Sequence, residues 1–194
     1  MPGLVPGIHA FLETTEDVDG RDKPGHDEWG GGVNLTIRQA APADSALIFS
    51  LVRELADYEK LSDEVDATEQ AIAAVLFARE PRVFCDIAEW DGEPAGFALW
   101  FLNFSTFRGR HGIYLEDIFV RPAFRKKGIG KGLLARLAAR CVDNGWARFE
   151  WSVLDWNKPS IDFYRAMGAT VMDDWRICRL SGEALETFAR KVAR

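Results

Sequence analysis

Between Val120 and Leu134 the chain reads VRPAFRKKGIGKGLL. The strand-like run before it (GIYLEDIFV, 112–120) stops at Arg121-Pro122, because proline cannot donate to a ladder. An apolar pattern with helical spacing opens at Ile129. The first amides of a helix have no intrahelical partner, and the positive end of the dipole lies beside them. Gly128 and Gly130 let a ligand approach the backbone closely. Arg125, Lys126, Lys127 and Lys131 add positive charge. A turn of this chemistry suits a phosphate or pyrophosphate. Two common phosphate motifs are excluded. Leu133 stands where a dinucleotide fingerprint needs its third glycine, and Gly132 follows Gly130-Lys131 where a P-loop needs Ser or Thr.

Other groups able to do chemistry are few. Glu116 and Asp117 lie on the strand before the turn, and a two-residue period sends neighbours to opposite faces. One of the two therefore faces a cleft or the sheet interior. Tyr164 falls on a short helix. Only His111 lies in the body of the chain, as a loop residue, since His9 and His26 belong to the first 32 residues. No Ser–His or Cys–His nucleophile pair is available, and no set of metal ligands. Cys85, Cys141 and Cys178 are scattered and odd in number, which reads as buried small hydrophobes in a reducing cytosol.

These groups must be held by elements the pattern predicts. Asn34–Arg38 alternates as a strand. Pro42 opens a helix whose apolar face is Leu47, Ile48, Leu51, Val52, Leu55 and Tyr58, ending near Lys60. Asp66 is the expected cap of a second helix, with Glu69 completing a capping box. Val83–Trp90 and Pro94–Asn103 are strands joined by Asp91-Gly92, a hairpin signal. A strand over Gly112–Val120, a helix over Ile129–Asn144, a strand over Arg148–Val153 and a helix over Pro159–Met167 follow. Two short strands, Ala169–Met172 and Trp175–Leu180, and a helix capped by Ser181 complete the order. Hairpin strands followed by strand–helix–strand units predict a single α/β (α+β) domain. Its mixed sheet would carry helices on both faces.

The 194 residues suit one domain. No run approaches a membrane span. The net charge of −6 is concentrated in residues 1–32, which carry seven acids and two bases; the rest holds 23 acids and 22 bases. That first stretch is rich in glycine, ends in Gly30-Gly31-Gly32, and reads as an extension outside a folded domain at 33–194. The near-neutral body gives no broad basic face for nucleic acid.

Arg125, Gly128 and Gly130 satisfy the form Arg/Gln-x-x-Gly-x-Gly/Ala, and in this respect the segment resembles the GNAT acyltransferase superfamily. The likeness continues through YLEDIFVRPAFRKKGIG (114–130), DWNKPSIDFYRAMGA (155–169) and IRQAAPAD…RELADYEKL (37–61). All three look like the diamine (spermidine/spermine) acetyltransferase branch, in register over about residues 33–180. The resemblance implies a mostly antiparallel mixed sheet splayed at its centre. It implies acetyl-CoA as cosubstrate, no metal, a small-molecule amine acceptor and a homodimer. Ile118, Phe119 and Val120 would offer a strand edge to pantetheine. Arg125, Lys126, Lys127, Gly128, Ile129, Gly130 and Lys131 would hold the pyrophosphate. Asn157, Pro159 and Ser160 would line the far side. Tyr58, Glu59, Glu116, Glu150, Trp151 and Ser152 would surround the amine, while Asp173 or Asp174 could supply a further acid.

Proton bookkeeping assigns two further roles. An alkyl ammonium has a pKa near ~10.4, so losing its proton at pH 7 costs roughly 4–5 kcal/mol. A carboxylate in reach can take that proton, and the resemblance selects Glu116. The departing thiolate needs a donor, and Tyr164 matches the family's general acid. A phenol near ~10 against a thiol near ~8.5 makes donation uphill by about 2 kcal/mol unless sulfur is still partly bonded. Direct transfer, without an acyl-enzyme, is expected because no Ser–His or Cys–His machinery is available. The alternatives are a protein-lysine acceptor, a non-catalytic acetyl-CoA-binding module, and nucleic-acid contact through Arg121 and the basic turn.

Overall fold

The computed structural model describes residues 9–10 and 34–192. Its strands are β1 (His9–Ala10), β2 (Leu35–Gln39), β3 (Val83–Trp90), β4 (Glu93–Ser105), β5 (Arg110–Val120) and β6 (Phe149–Trp151). The helices are α1 (Ser45–Glu59), α2 (Glu69–Leu76), α3 (Ile129–Asp143), α4 (Lys158–Ala166) and α5 (Gly182–Val192). The sheet runs β1-β5-β4-β3-β2, with β6 also paired to β5. The β2, β3, β4 and β5 neighbours are antiparallel, whereas β6 and β1 run parallel to β5.

Each face of the sheet buries its own core. One holds Ile113, Leu115, Ile118 and Val120 of β5 against Ile129, Leu133, Leu134, Leu137 and Cys141 of α3, with Phe163 and Tyr164 of α4. The other packs Ile48, Leu51 and Leu55 of α1 and Leu76 of α2 against Cys85, Ile87, Phe97 and Phe119. Helices therefore do cover both faces. Asp86, 1 % exposed, ties α3 to the sheet by accepting from Trp100 Nε1, Arg136 Nε and Arg140 Nη2, each at 2.9 Å. At the Asp91-Gly92 turn both φ angles are positive, 52° and 83°, as a two-residue hairpin requires.

Several expectations need correction. The second helix is capped by Thr68, whose side chain accepts from Ala71 N at 3.2 Å, so Asp66 lies before it. Proline 42 starts a single 3₁₀ turn, Pro42–Asp44, ahead of α1. No strand forms over 169–172 or 175–180. Met172, Trp175, Ile177 and Leu180 are all exposed, so their apolar side chains find no cover among the described residues. Cys178 is exposed, unlike buried Cys85 and Cys141. His111 sits on β5, exposed, with Nδ1 3.2 Å from Asn103 O. Within the first 32 residues the described pair His9–Ala10 forms β1, His9 pairing with Ile118 and Ala10 with Phe119. The glycine run and His26 lie outside the described residues.

Candidate active site

The basic turn is built as a cradle. Gly128, at φ 72°, is the N-cap of α3, and Lys126 is also left-handed at φ 63°. A β-carbon at 128 would meet nothing within 4 Å, so the need for glycine there comes from backbone angle and not from crowding. Ile129 and Gly130 are buried, whereas Lys126, Gly128 and Lys131 are exposed beside the open end of the helix. Two cations expected here turn away. Lys127 Nζ lies 4.6 Å from the Trp90 ring centroid. Arg125 donates from Nε to Val120 O at 3.0 Å, and its guanidinium carbon lies 4.8 Å from the Tyr58 centroid.

The strand edge leading to the cradle is opened by a divergence. β6 pairs with β5 only at Ile113–Phe149, Tyr114–Glu150 and Leu115–Trp151. Beyond Leu115 the two separate, leaving the backbone of Ile118 to Val120 free of β6. Ile118 and Val120 are buried in the α3-side core, and Phe119 in the α1-side core. The short β1 pairs at 118–119 because an edge released by one neighbour still offers N–H and C=O groups.

At the divergence β5 carries a bulge. Leu99 pairs with Asp117 and Trp100 with Leu115, so Glu116 is the extra residue. A bulge shifts the face alternation by one. Leu115 therefore faces the α3 side, yet Phe119, four residues on, faces the α1 side. The strict two-residue reading of Glu116 and Asp117 fails for this reason, and Asp117 is brought toward Glu59 at the end of α1. Burial, reinforced by the charge of Asp117, pushes Glu59 up to about 8. Burial and the charge of Glu116 push Asp117 up to about 7. Burial also raises Glu116, while Arg179 pulls it down. Three acids thus interact at one end of the splay, with the base Arg179 acting on Glu116; Asp117 and Arg179 are the groups to which the sequence assigned no role. Adjacency to Glu116 was a signal for Asp117; nothing local marked Arg179.

Tyr164 belongs to the α3-side core, beside β6. It is 2 % exposed, and its ring packs edge-on to Trp151 with centroids 5.1 Å apart. Burial holds its phenol well above the ordinary value, so it stays protonated at neutral pH. Asn157 caps α4 by accepting from Ser160 N at 3.3 Å, and Pro159 sits in the first turn. Asn157 and Ser160 are buried, so their packing fixes the helix that presents Tyr164.

The acceptor residues divide. Glu59 interacts with Asp117, whereas Tyr58 lies against Arg125. Trp151 is packed between Phe149 and Tyr164. Ser152 Oγ lies 2.7 Å from Tyr114 Oη. Glu150 is exposed and held by Asn103 Nδ2 at 2.7 Å and Arg148 Nε at 2.8 Å, directed at the hairpin and away from the acid group. Asp173 and Asp174 are exposed. Among the described residues no group of three or more His, Cys, Asp or Glu could hold a metal ion, and no helix is long and apolar enough to cross a membrane.

Comparison with known proteins agrees with this geometry. The Acetyltransferase (GNAT) family matches residues 48–169. The thialysine N-epsilon-acetyltransferase of Bos taurus is 41 % identical over 168 residues, covering 81 % of this chain and 98 % of that protein. The L-ornithine N5-acetyltransferase NATA1 of Arabidopsis thaliana is 34 % identical, covering 78 % and 86 %. An integron cassette protein from the mobile metagenome of V. cholerae superposes with a TM-score of 0.69 at 25 % identity, over 82 % of this chain and 99 % of that one. These matches show that the chain belongs to the GNAT acetyltransferase family.

Proposed function

We propose that this chain moves acetyl from acetyl-CoA to the primary amine of a small cationic acceptor by direct attack. The acceptor would be a diamine, a polyamine or a lysine-like amino acid. The carrying observation is the group of three interacting carboxylates, Glu59, Glu116 and Asp117, at the mouth of the splay. Clustered acids with raised proton affinity attract a cation and can accept its proton. The relatives named above act on thialysine and ornithine, both amino acids with a side-chain amine, which supports the same acceptor class.

In this reading the amides of Lys126 to Lys131 at the start of α3 hold the pyrophosphate, and the freed edge at Ile118–Val120 binds pantetheine. Acetyl-CoA supplies the activated acetyl group. Glu116 takes the ammonium proton, directly or through water. Tyr164, kept neutral by burial, donates a hydrogen bond to the leaving sulfur and shares its proton as the bond breaks. Tyr58 offers a ring face to the cation.

The protein would work as a cytoplasmic homodimer. Exposed Trp175, Ile177, Leu180, Leu185 and Phe188 form an apolar stretch suited to burial against a second copy. Nucleic-acid binding is disfavoured by the fate of the basic cluster. Arg121 is paired with Glu54 at 2.7 Å, and Arg125 and Lys127 lie over aromatic rings. A thiol-release assay with acetyl-CoA and a panel of diamines, polyamines and lysine analogues tests the proposal. Turnover with at least one such amine is expected. Turnover only with protein lysines, or with nothing, would overturn it.

A further inference from the structure

Arg125 belongs to the basic turn, but its side chain leaves it. The guanidinium folds back along the end of β5, with Nε donating to Val120 O at 3.0 Å. It lies 4.8 Å from the Tyr58 centroid and 6.0 Å from that of Phe119. Nη2 is buried and has no hydrogen-bond partner among the described residues. The position is half-buried, whereas the neighbouring Lys126 is exposed. Tyr58 occupies the last turn of α1, which ends at Glu59 with Lys60 left-handed at φ 60°. The guanidinium therefore bridges two parts of the molecule distant in sequence: the strand leading into the cradle, and the helix end that carries two acceptor-site residues.

A planar cation on an aromatic face is attracted by the ring quadrupole, and more so when water is excluded. Arginine also stacks flat and is less strongly hydrated than an ammonium, so lysine does not reproduce the arrangement. We propose that Arg125 is a positioning residue that clamps Tyr58, and with it Glu59, in place for the incoming amine, and is not a phosphate ligand. The clamp rests on the acceptor reading above. Burial pushes the guanidinium below its ordinary value, and the charge of the Tyr58 phenol and hydrogen bonding to it partly offset this.

The test uses the full-length chain with Arg125→Met, and Arg125→Lys should the first variant fold poorly. Acetyl-CoA affinity is measured by calorimetry, amine KM and kcat by thiol release, and amide exchange over residues 54–61 by mass spectrometry. The clamp predicts acetyl-CoA Kd within about twofold of the parent, amine KM raised about tenfold, kcat changed less than about threefold, and faster exchange at 57–61. A tenfold weaker acetyl-CoA affinity, with or without a KM change, would make Arg125 a phosphate ligand and overturn the proposal. Should the parent acetylate no amine, the functional reading falls. The exchange comparison then still decides the clamp: unchanged protection at 57–61 refutes it.

Discussion

At the scale of single residues, the site depends on groups whose proton affinity is set by burial. Tyr164 is 2 % exposed and neutral at pH 7. Replacing it with Phe keeps the packing against Trp151 and removes the donor. Turnover should fall about 10²-fold, with acetyl-CoA affinity within about twofold; steady-state rates and calorimetry check this, and unchanged turnover would remove the general acid. The acids give a pH test. Glu59 at about 8 and Asp117 at about 7 bind protons more tightly folded than unfolded. Their contribution to folding stability should therefore be fully present below about pH 4 and be lost as pH rises through 4–8, whereas Asp44 and Glu54, held below the ordinary carboxylate value by Arg38 and Arg121, contribute in the opposite sense at the acid end. Activity should rise over the upper part of that window as the pair of Glu59 and Asp117 becomes anionic and able to hold the cationic amine beside Glu116, the proton acceptor. Asp117→Asn should flatten the thermal-melting slope between pH 5 and 8, and a variant slope equal to the parent's would contradict the assignment. The types of these residues were legible in the chain; their partnership was not. The bulge at Glu116 leaves no mark in local pattern, since it arises from pairing with β4, so alternation alone sends Asp117 to the wrong face.

At the scale of elements, α3 must be held firmly because its N-terminus forms the cradle. Asp86 binds Trp100, Arg136 and Arg140. Removing one partner of such a set leaves the others uncompensated. Asp86→Ala should cost about 2–3 kcal/mol by urea denaturation, the partly exposed arginines keeping it below the fully buried case; a loss under about 0.5 kcal/mol would show the latch to be idle. Hairpin, strand–turn–helix and helix-stop signals were readable because glycine, proline and apolar spacing act locally. Gly128, at φ 72°, stands at the start of α3 as expected, and Gly145, at φ 63°, follows the helix's C-cap Asn144. The strands expected over 169–172 and 175–180 were not, since alternation shows that a segment could pair but says nothing of whether this chain supplies a neighbour.

At the scale of the molecule, β1 raises a competition. It pairs with Ile118 and Phe119, the edge assigned to pantetheine. One edge cannot serve both. Deleting residues 1–32 should leave a folded protein whose acetyl-CoA affinity rises about threefold, the worth of a hydrogen bond; unchanged or weaker affinity in calorimetry would show no competition. Composition read residues 1–32 as separable because they are acidic and glycine-rich. It could not register the pairing, which depends on where β6 leaves β5.

Isothermal titration of acetyl-CoA into the parent and into Gly128→Val is the most direct test of the account. A β-branched residue is strained at φ 72°, so the variant should lose the cradle while keeping its far-UV circular dichroism. Saturable heat with the parent, and affinity at least about tenfold weaker in the variant, is the predicted result. No heat with the parent, or equal affinity in both, would contradict it.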